Sequence, residues 1–122
     1  MESKKAMKVI FCNESRMHWE AIEDRLSGSG YNIQVLKVES FKDAVKAVPE
    51  EGKCIVLTES VLPGKEEVSQ LPPLCKAKNP DSIVILYTRE TYGMDVSSFD
   101  YYLNSDDRDS YQELFSVFRK YC

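Results

Sequence analysis

The sequence predicts an α/β domain: five parallel strands with helices on both faces. Three observations lead there. Short apolar runs and amphipathic stretches alternate along the whole of the 122-residue chain. Two of the runs, Met7–Cys12 and Ser82–Thr88, are almost continuously apolar, as expected of strands covered on both faces. Five strands alternating with helices in one small domain imply a parallel sheet with right-handed crossovers.

Each element has its own local reason. Met7–Cys12 is the first strand. Ser15 to Ser27 follows as a helix, with Trp19, Ile22 and Leu26 on one face and Gly28 and Gly30 ending it. Tyr31 to Val38 alternates and reads as the second strand. Ser40 with Asp43 three residues on has the spacing of a capping box, opening a helix whose stripe is Phe41, Ala44, Val45 and Val48. Cys54 to Leu57 is the third strand, bounded by Thr58-Glu59-Ser60. Pro72-Pro73 then breaks the pattern, which predicts a loop or single turn over Glu66 to Gln70 and a short helix from about Pro72 to Lys78. Ser82 to Thr88 is the fourth strand and Phe99 to Leu103 the fifth. The last helix is expected from about Asp107 to Tyr121, with Tyr111, Leu114, Phe115 and Phe118 on one face and the Asp106, Asp107 and Asp109 carboxylates near its positive end. The expected strand order is 2-1-3-4-5, flavodoxin-like, with any ligand at the carboxyl ends of strands one and three. No repeat, low-complexity tract or linker appears, so residues 1–122 are expected to form one domain.

Composition excludes several classes of function. The net charge is -4 and the lysines are spread along the chain, which leaves no electrostatic footprint for nucleic acid. The apolar run near the N-terminus is too short for a signal peptide or a membrane span, so a cytoplasmic protein is expected, with no membrane partner. The cysteines Cys12, Cys54, Cys75 and Cys122 form no C-x-x-C pair, and His18 has no second ligand near it in sequence, so no zinc site is expected. Cys12 and Cys54 lie in apolar runs and read as buried small hydrophobes, whereas Cys122 is expected to be exposed. With no partner acid or nucleophile in sequence reach, His18 reads as a helix-surface residue. No phosphate loop, dinucleotide fingerprint or nucleophile elbow occurs, so neither a cofactor nor an enzyme is indicated.

Several landmarks in register resemble the receiver domains of response regulators. Val9 through Asn13-Glu14-Ser15, then Ile22, Leu26 and Gly30-Tyr31, have the spacing of the family's opening strand and helix. CIVLTESVLPG, from Cys54 to Gly64, resembles its third strand and the loop after it, where the phospho-accepting Asp stands five residues before a glycine; the matching position here is Glu59. Ile83 to Thr88 resembles the strand ending in the switch Thr or Ser. Tyr102-Leu103-Asn104-Ser105-Asp106 resembles the Tyr-Leu-x-Lys-Pro signature.

The resemblance implies a phosphoacceptor pocket made of Asn13, Glu14, Glu59, Thr88 and Ser105, and each departure from the pattern removes part of its chemistry. Asn13 puts a neutral amide where the family has a Mg²⁺-binding acid. Glu59 is one methylene longer than the acceptor Asp. Ser105 stands in place of the lysine that pairs with the phosphoryl oxygens, and Asp106 in place of the proline. Thr88 matches, and Tyr102 occupies the place of the aromatic switch residue. Acceptor, metal ligand and cation are lost together, and with them the nucleophile and the electrostatic stabilisation of phosphoryl transfer. The chain is therefore similar to a degenerate pseudo-receiver.

Two features bear on the signalling face. Thr88 to Ser105 is shorter than is usual in the family, and Arg89 to Asp95 has no apolar periodicity and contains Gly93, so the family's fourth helix is expected to be short or missing. Its loss would uncover aromatic residues, making Tyr92, Phe99, Tyr101 and Tyr102 a candidate switch and interaction face. The implied function is phosphorylation-independent signalling, through a protein partner or a second copy bound at the face of strands four and five and the last helix. The alternative is an atypical receiver that still accepts a phosphoryl group or a divalent cation at the Glu59 pocket, with Glu14 and Glu59 as weak metal ligands. A flavodoxin-like small-ligand binder is a third reading, with no phosphate loop to support it.

Overall fold

Apolar runs too short for helices build the sheet. β1 (Met7–Cys12), β3 (Cys54–Thr58) and β6 (Ser82–Thr88) bury nearly every side chain, because helices cover both of their faces. β2 (Ile33–Val38) alternates half-buried and exposed residues, and β7 (Tyr101–Asn104) is short and mixed, as befits the two edges. The sheet order is β2-β1-β3-β6-β7 with every pair parallel. Counting only these five strands, that is the order 2-1-3-4-5. The computed structural model describes residues 7–12, 16–59, 61–62, 66–88, 93 and 95–121.

Strand alternation divides the core into two layers. Val9, Phe11, Ile55, Leu57, Ile85 and Tyr87 point to one face, where they meet α1 (Arg16–Ser27) through Trp19, Ile22 and Leu26. The same layer takes Leu114, Phe115, Val117 and Phe118 of α4 (Ser110–Tyr121). Arg25 joins the two helices from outside, its guanidinium 4.3 Å from the Phe115 ring centre and 5.2 Å from that of Tyr111. Ile10, Cys12, Cys54, Val56, Val84 and Leu86 point the other way. They pack on Ala44 of α2 (Phe41–Ala47) and Val48 just after it, and on Leu71 and Cys75 of α3 (Leu71–Lys78).

Local signals act as the sequence suggests at several points. The Ser40 side chain accepts the Asp43 N–H at 3.0 Å and caps α2. Pro72 and Pro73 sit in the first turn of α3, where a missing N–H costs nothing, and Gln70 precedes them in a 3-10 turn, Val68–Gln70. Gly52 adopts φ +93, a left-handed turn into β3 that a side chain would strain.

Other expectations are corrected. The segment after β3 holds a two-residue antiparallel pair, β4 (Val61–Leu62) with β5 (Glu66–Glu67), where a loop or turn was expected. The second strand begins at Ile33 rather than Tyr31. The last helix begins at Ser110 rather than near Asp107, because the Ser110 N–H and Oγ both donate to the Asp107 carbonyl, at 3.1 and 2.8 Å, and close a turn there. The fifth strand begins at Tyr101 rather than Phe99.

No helix occurs among the described residues between β6 and β7. Val96 and Phe99 from this connection pack into the α2–α3 layer. No helix among the described residues is long and apolar enough to cross a membrane.

Candidate functional site

The β-ladder brings the sequence-predicted pocket residues to one edge of the sheet. Cys12 ends β1 opposite Thr58, and Thr58 ends β3 opposite Leu86. Glu59 follows directly, half-buried, and its carbonyl accepts the Thr58 hydroxyl at 2.9 Å. Thr88 ends β6 opposite Asn104, and the Ser105 N–H donates to the Thr88 carbonyl at 3.1 Å. Glu59, Thr88 and Ser105 therefore share the carboxyl edge of the sheet, and of the three only Glu59, after β3, borders the β1/β3 switch point where open α/β sheets bind ligands. Asn13 and Glu14 lie outside the described residues, although Cys12 before them ends at this same edge.

The chemistry of this residue set does not match a magnesium-assisted phosphoryl-transfer centre. Magnesium requires hard oxygen ligands in near-octahedral geometry. Residue 13 is an amide and residue 59 a carboxylate whose reach differs from that of an aspartate by a methylene. At position 105, held against Thr88 by a backbone hydrogen bond, the side chain is a half-buried hydroxyl that brings no positive charge. Of the two weak metal candidates, Glu59 directly follows β3 and Glu14 lies outside the described residues.

The aromatic face is reorganised by the pleat. Phe99 is buried, 7% exposed, in the α2–α3 layer, so it belongs to the core and not to an interaction face. Tyr101 points the opposite way, packs against the α1–α4 layer, and its hydroxyl meets that of Tyr121 at 3.0 Å. Tyr102, adjacent in the strand, faces the α2–α3 side and is 40% exposed. Adjacent strand residues cannot join one patch, and this corrects the expectation that they would. Tyr92 lies outside the described residues.

A further group escaped sequence reasoning. Asp100 donates its N–H to the Val84 carbonyl at 3.0 Å and accepts the Val84 N–H on Oδ2 at 2.8 Å, which completes the edge of β6 before β7 begins. Lys76 of α3 holds the same Oδ2 at 3.0 Å and donates to the Ser82 carbonyl at 2.8 Å. The only sequence trace is an aspartate before a strand, too common a pattern to single out.

The remaining polar candidates are structural. Cys12, Cys54 and Cys75 are buried, as expected for Cys12 and Cys54. Burial pushes the Cys54 thiol up to about 12, with the nearby Cys75 adding to it, and burial pushes Cys75 up to about 11. Thiols so disfavoured as thiolates are poor nucleophiles. Cys122 lies outside the described residues. His18 falls within α1.

No protein-family model matches the sequence, and no curated protein matches it. Solved structures do. The signal receiver domain of an HD domain-containing protein from Pseudomonas fluorescens Pf-5 superposes with a TM-score of 0.75 at 14% identity, over 98% of this chain and 89% of that one. The response regulator TrrA from Thermotoga maritima, solved with Mg²⁺ and BeF, gives 0.71 at 20% identity over 98% and 100%. The complex of the Thermotoga histidine kinase ThkA with TrrA gives 0.65 at 21% identity over 92% and 97%. At these identities the likeness is one of fold: this chain has the five-stranded receiver fold.

Proposed function

We propose that this domain is a phosphorylation-independent signalling module of the pseudo-receiver kind, which acts by binding a protein partner or a second copy of itself. One observation carries the reading. The β6–β7 ladder and the Ser105 N–H bond to Thr88 place residue 105 beside the switch position by backbone geometry, and the side chain there is a hydroxyl. Without a cation at that point, phosphoryl oxygens would lack the charge-assisted partner that ties β7 to them, and neutral hydroxyls bind them more weakly. The Glu59 carboxylate brings one negative charge where a phosphoryl group brings nearly two and three acceptor oxygens, so it is a weak mimic of the phosphorylated state.

Tyr102 and the outer edge of β7 are the surface through which partners are engaged. β7 is the last strand in the sheet order and Tyr102 is exposed beside it. The Thermotoga regulator of the same fold is solved bound to a histidine kinase, which supports a protein as the partner class.

Amide NMR of the labelled chain, titrated with Mg²⁺ and then with beryllofluoride, tests the reading. Unchanged resonances at Glu59, Thr88 and Ser105 are expected. Saturable shifts there that spread to Tyr102 would replace this reading with that of a working, atypical receiver.

A further inference from the structure

We propose that Cys54 and Cys75 form a two-coordinate site for a soft monovalent cation of the Cu(I) class, with the Ser82 hydroxyl bonded to one of the bound sulfurs. The three side chains meet at the amino end of the sheet. Cys54 opens β3 and Ser82 opens β6, and the two are partners across the ladder, about 4.8 Å apart. Ser82 shares the side of β6 that carries Val84 and Leu86. Both residues therefore face α3, where Cys75 belongs to the same core layer as Cys54.

Asn79, itself buried, fixes the arrangement. Its N–H donates to the Cys75 carbonyl at 2.8 Å, and its carbonyl accepts the Ser82 N–H at 3.0 Å. Its side-chain amide donates to the Gly52 carbonyl at 2.8 Å, two residues before Cys54. One residue thus ties together the three segments that carry the three side chains.

The Ser82 hydroxyl is fully buried and has no hydrogen-bond partner, an arrangement that costs stability unless something else accepts its proton. A metal-bound thiolate beside it would do so, as a stronger acceptor than a thiol. Charge points the same way. Burial, then Cys75, hold the proton on Cys54, while Lys8 and Lys78 favour its loss; Lys76 and Lys78 act likewise against burial at Cys75. Two thiols release two protons to solvent as one monovalent cation enters, so the complex carries a single negative charge that these lysines offset.

Ligand number selects the ion. Soft thiolates suit Cu(I), which two sulfurs satisfy, whereas zinc takes four ligands. Among the described residues no group of three or more His, Cys, Asp or Glu converges. The route in is short, because Lys53 and Asp81, the sequence neighbours of Cys54 and Ser82, are exposed. Glu59 lies past the other end of β3, so this inference stands or falls independently of the phosphoacceptor pocket.

The test titrates the full chain with Cu(I), kept reduced by ascorbate without air and buffered by a chromogenic Cu(I) chelator. One ion per chain is expected, with a thiolate-to-copper charge-transfer band and amide shifts at Cys54, Cys75 and Ser82. Cys54→Ala and Cys75→Ala should each abolish binding, with amide spectra checking that both remain folded. Cys12→Ala, which removes an equally buried thiol elsewhere in the layer, and Cys122→Ser should keep it. Ser82→Ala retains both sulfurs and is expected to weaken binding about tenfold, the weight of one hydrogen bond to a charged acceptor. No ion held against the chelator, an ion held by folded Cys54→Ala, its loss in Cys12→Ala or Cys122→Ser, or unchanged affinity in Ser82→Ala would each overturn the proposal. A Cys54–Cys75 disulfide, two hydrogens lighter and without bound copper, would overturn it in favour of a redox pair.

Discussion

Lys76 on α3 and Asp100 before β7 meet at 3.0 Å, and the Asp100 oxygen they share also accepts the Val84 N–H at 2.8 Å. This one carboxylate ties together a strand backbone, a helix side chain and the segment that leads into β7. Asp100→Ala would leave the Val84 N–H without its partner and release the loop. A loss of about 1–2 kcal/mol is expected by urea unfolding. Lys76→Met, which removes only a partly exposed ion pair and one hydrogen bond, should cost less, about 1 kcal/mol or under.

Phe99 and Tyr102 should separate stability from recognition. Phe99→Ala empties a buried position and is expected to cost about 3 kcal/mol. Tyr102→Ala removes an exposed ring and should change stability by no more than about 0.5 kcal/mol. Tyr101→Ala belongs with the first of these, since its ring packs on the α1–α4 layer and its hydroxyl bonds Tyr121. Thermal unfolding of the three variants checks the ranking, and partner binding should follow Tyr102 alone.

Restoring the residues of a receiver tests the proposed silence of the pocket. Asn13→Asp, Glu59→Asp and Ser105→Lys combined put an acid, an acceptor of shorter reach and a cation at the positions that the resemblance to receivers assigns to them. The triple variant is expected to gain Mg²⁺-dependent amide shifts with beryllofluoride, where the proposed function expects none from the natural chain. A variant that stays silent would place the block elsewhere in the fold.

The buried thiols predict the alkaline limb of stability. Cys54 and Cys75 titrate near 12 and 11 in the folded chain against an ordinary value of 9.0. A raised folded value means that the stabilisation is whole below pH 9. Above it the unfolded chain ionises first, so stability falls, by about 1.4 kcal/mol per pH unit for each thiol, until the folded thiols titrate too. Unfolding free energies measured between pH 8 and 10.5 should show this slope, and Cys54→Ala should make it shallower.

Much of the fold is legible in local pattern. The apolar runs of β1, β3 and β6, the Ser40 cap and the prolines opening α3 act over a few residues, and their neighbours in sequence are enough to specify them. Glu59, Thr88 and Ser105 could be brought together on paper, because parallel strands deliver their carboxyl ends to one edge. What the tertiary structure alone decided depends on pairing between distant segments. Register sent Tyr101 and Tyr102 to opposite faces, and only the packing of the segment before β7 buried Phe99. Asp100 found Val84 and Lys76 through contacts 16 and 24 residues away along the chain. Lys78 reached the Val45 and Lys46 carbonyls, more than thirty residues back, because two crossover helices lie side by side on one face of the sheet. Periodicity reports which side of an element is apolar. Which partner covers that side is set by the whole chain.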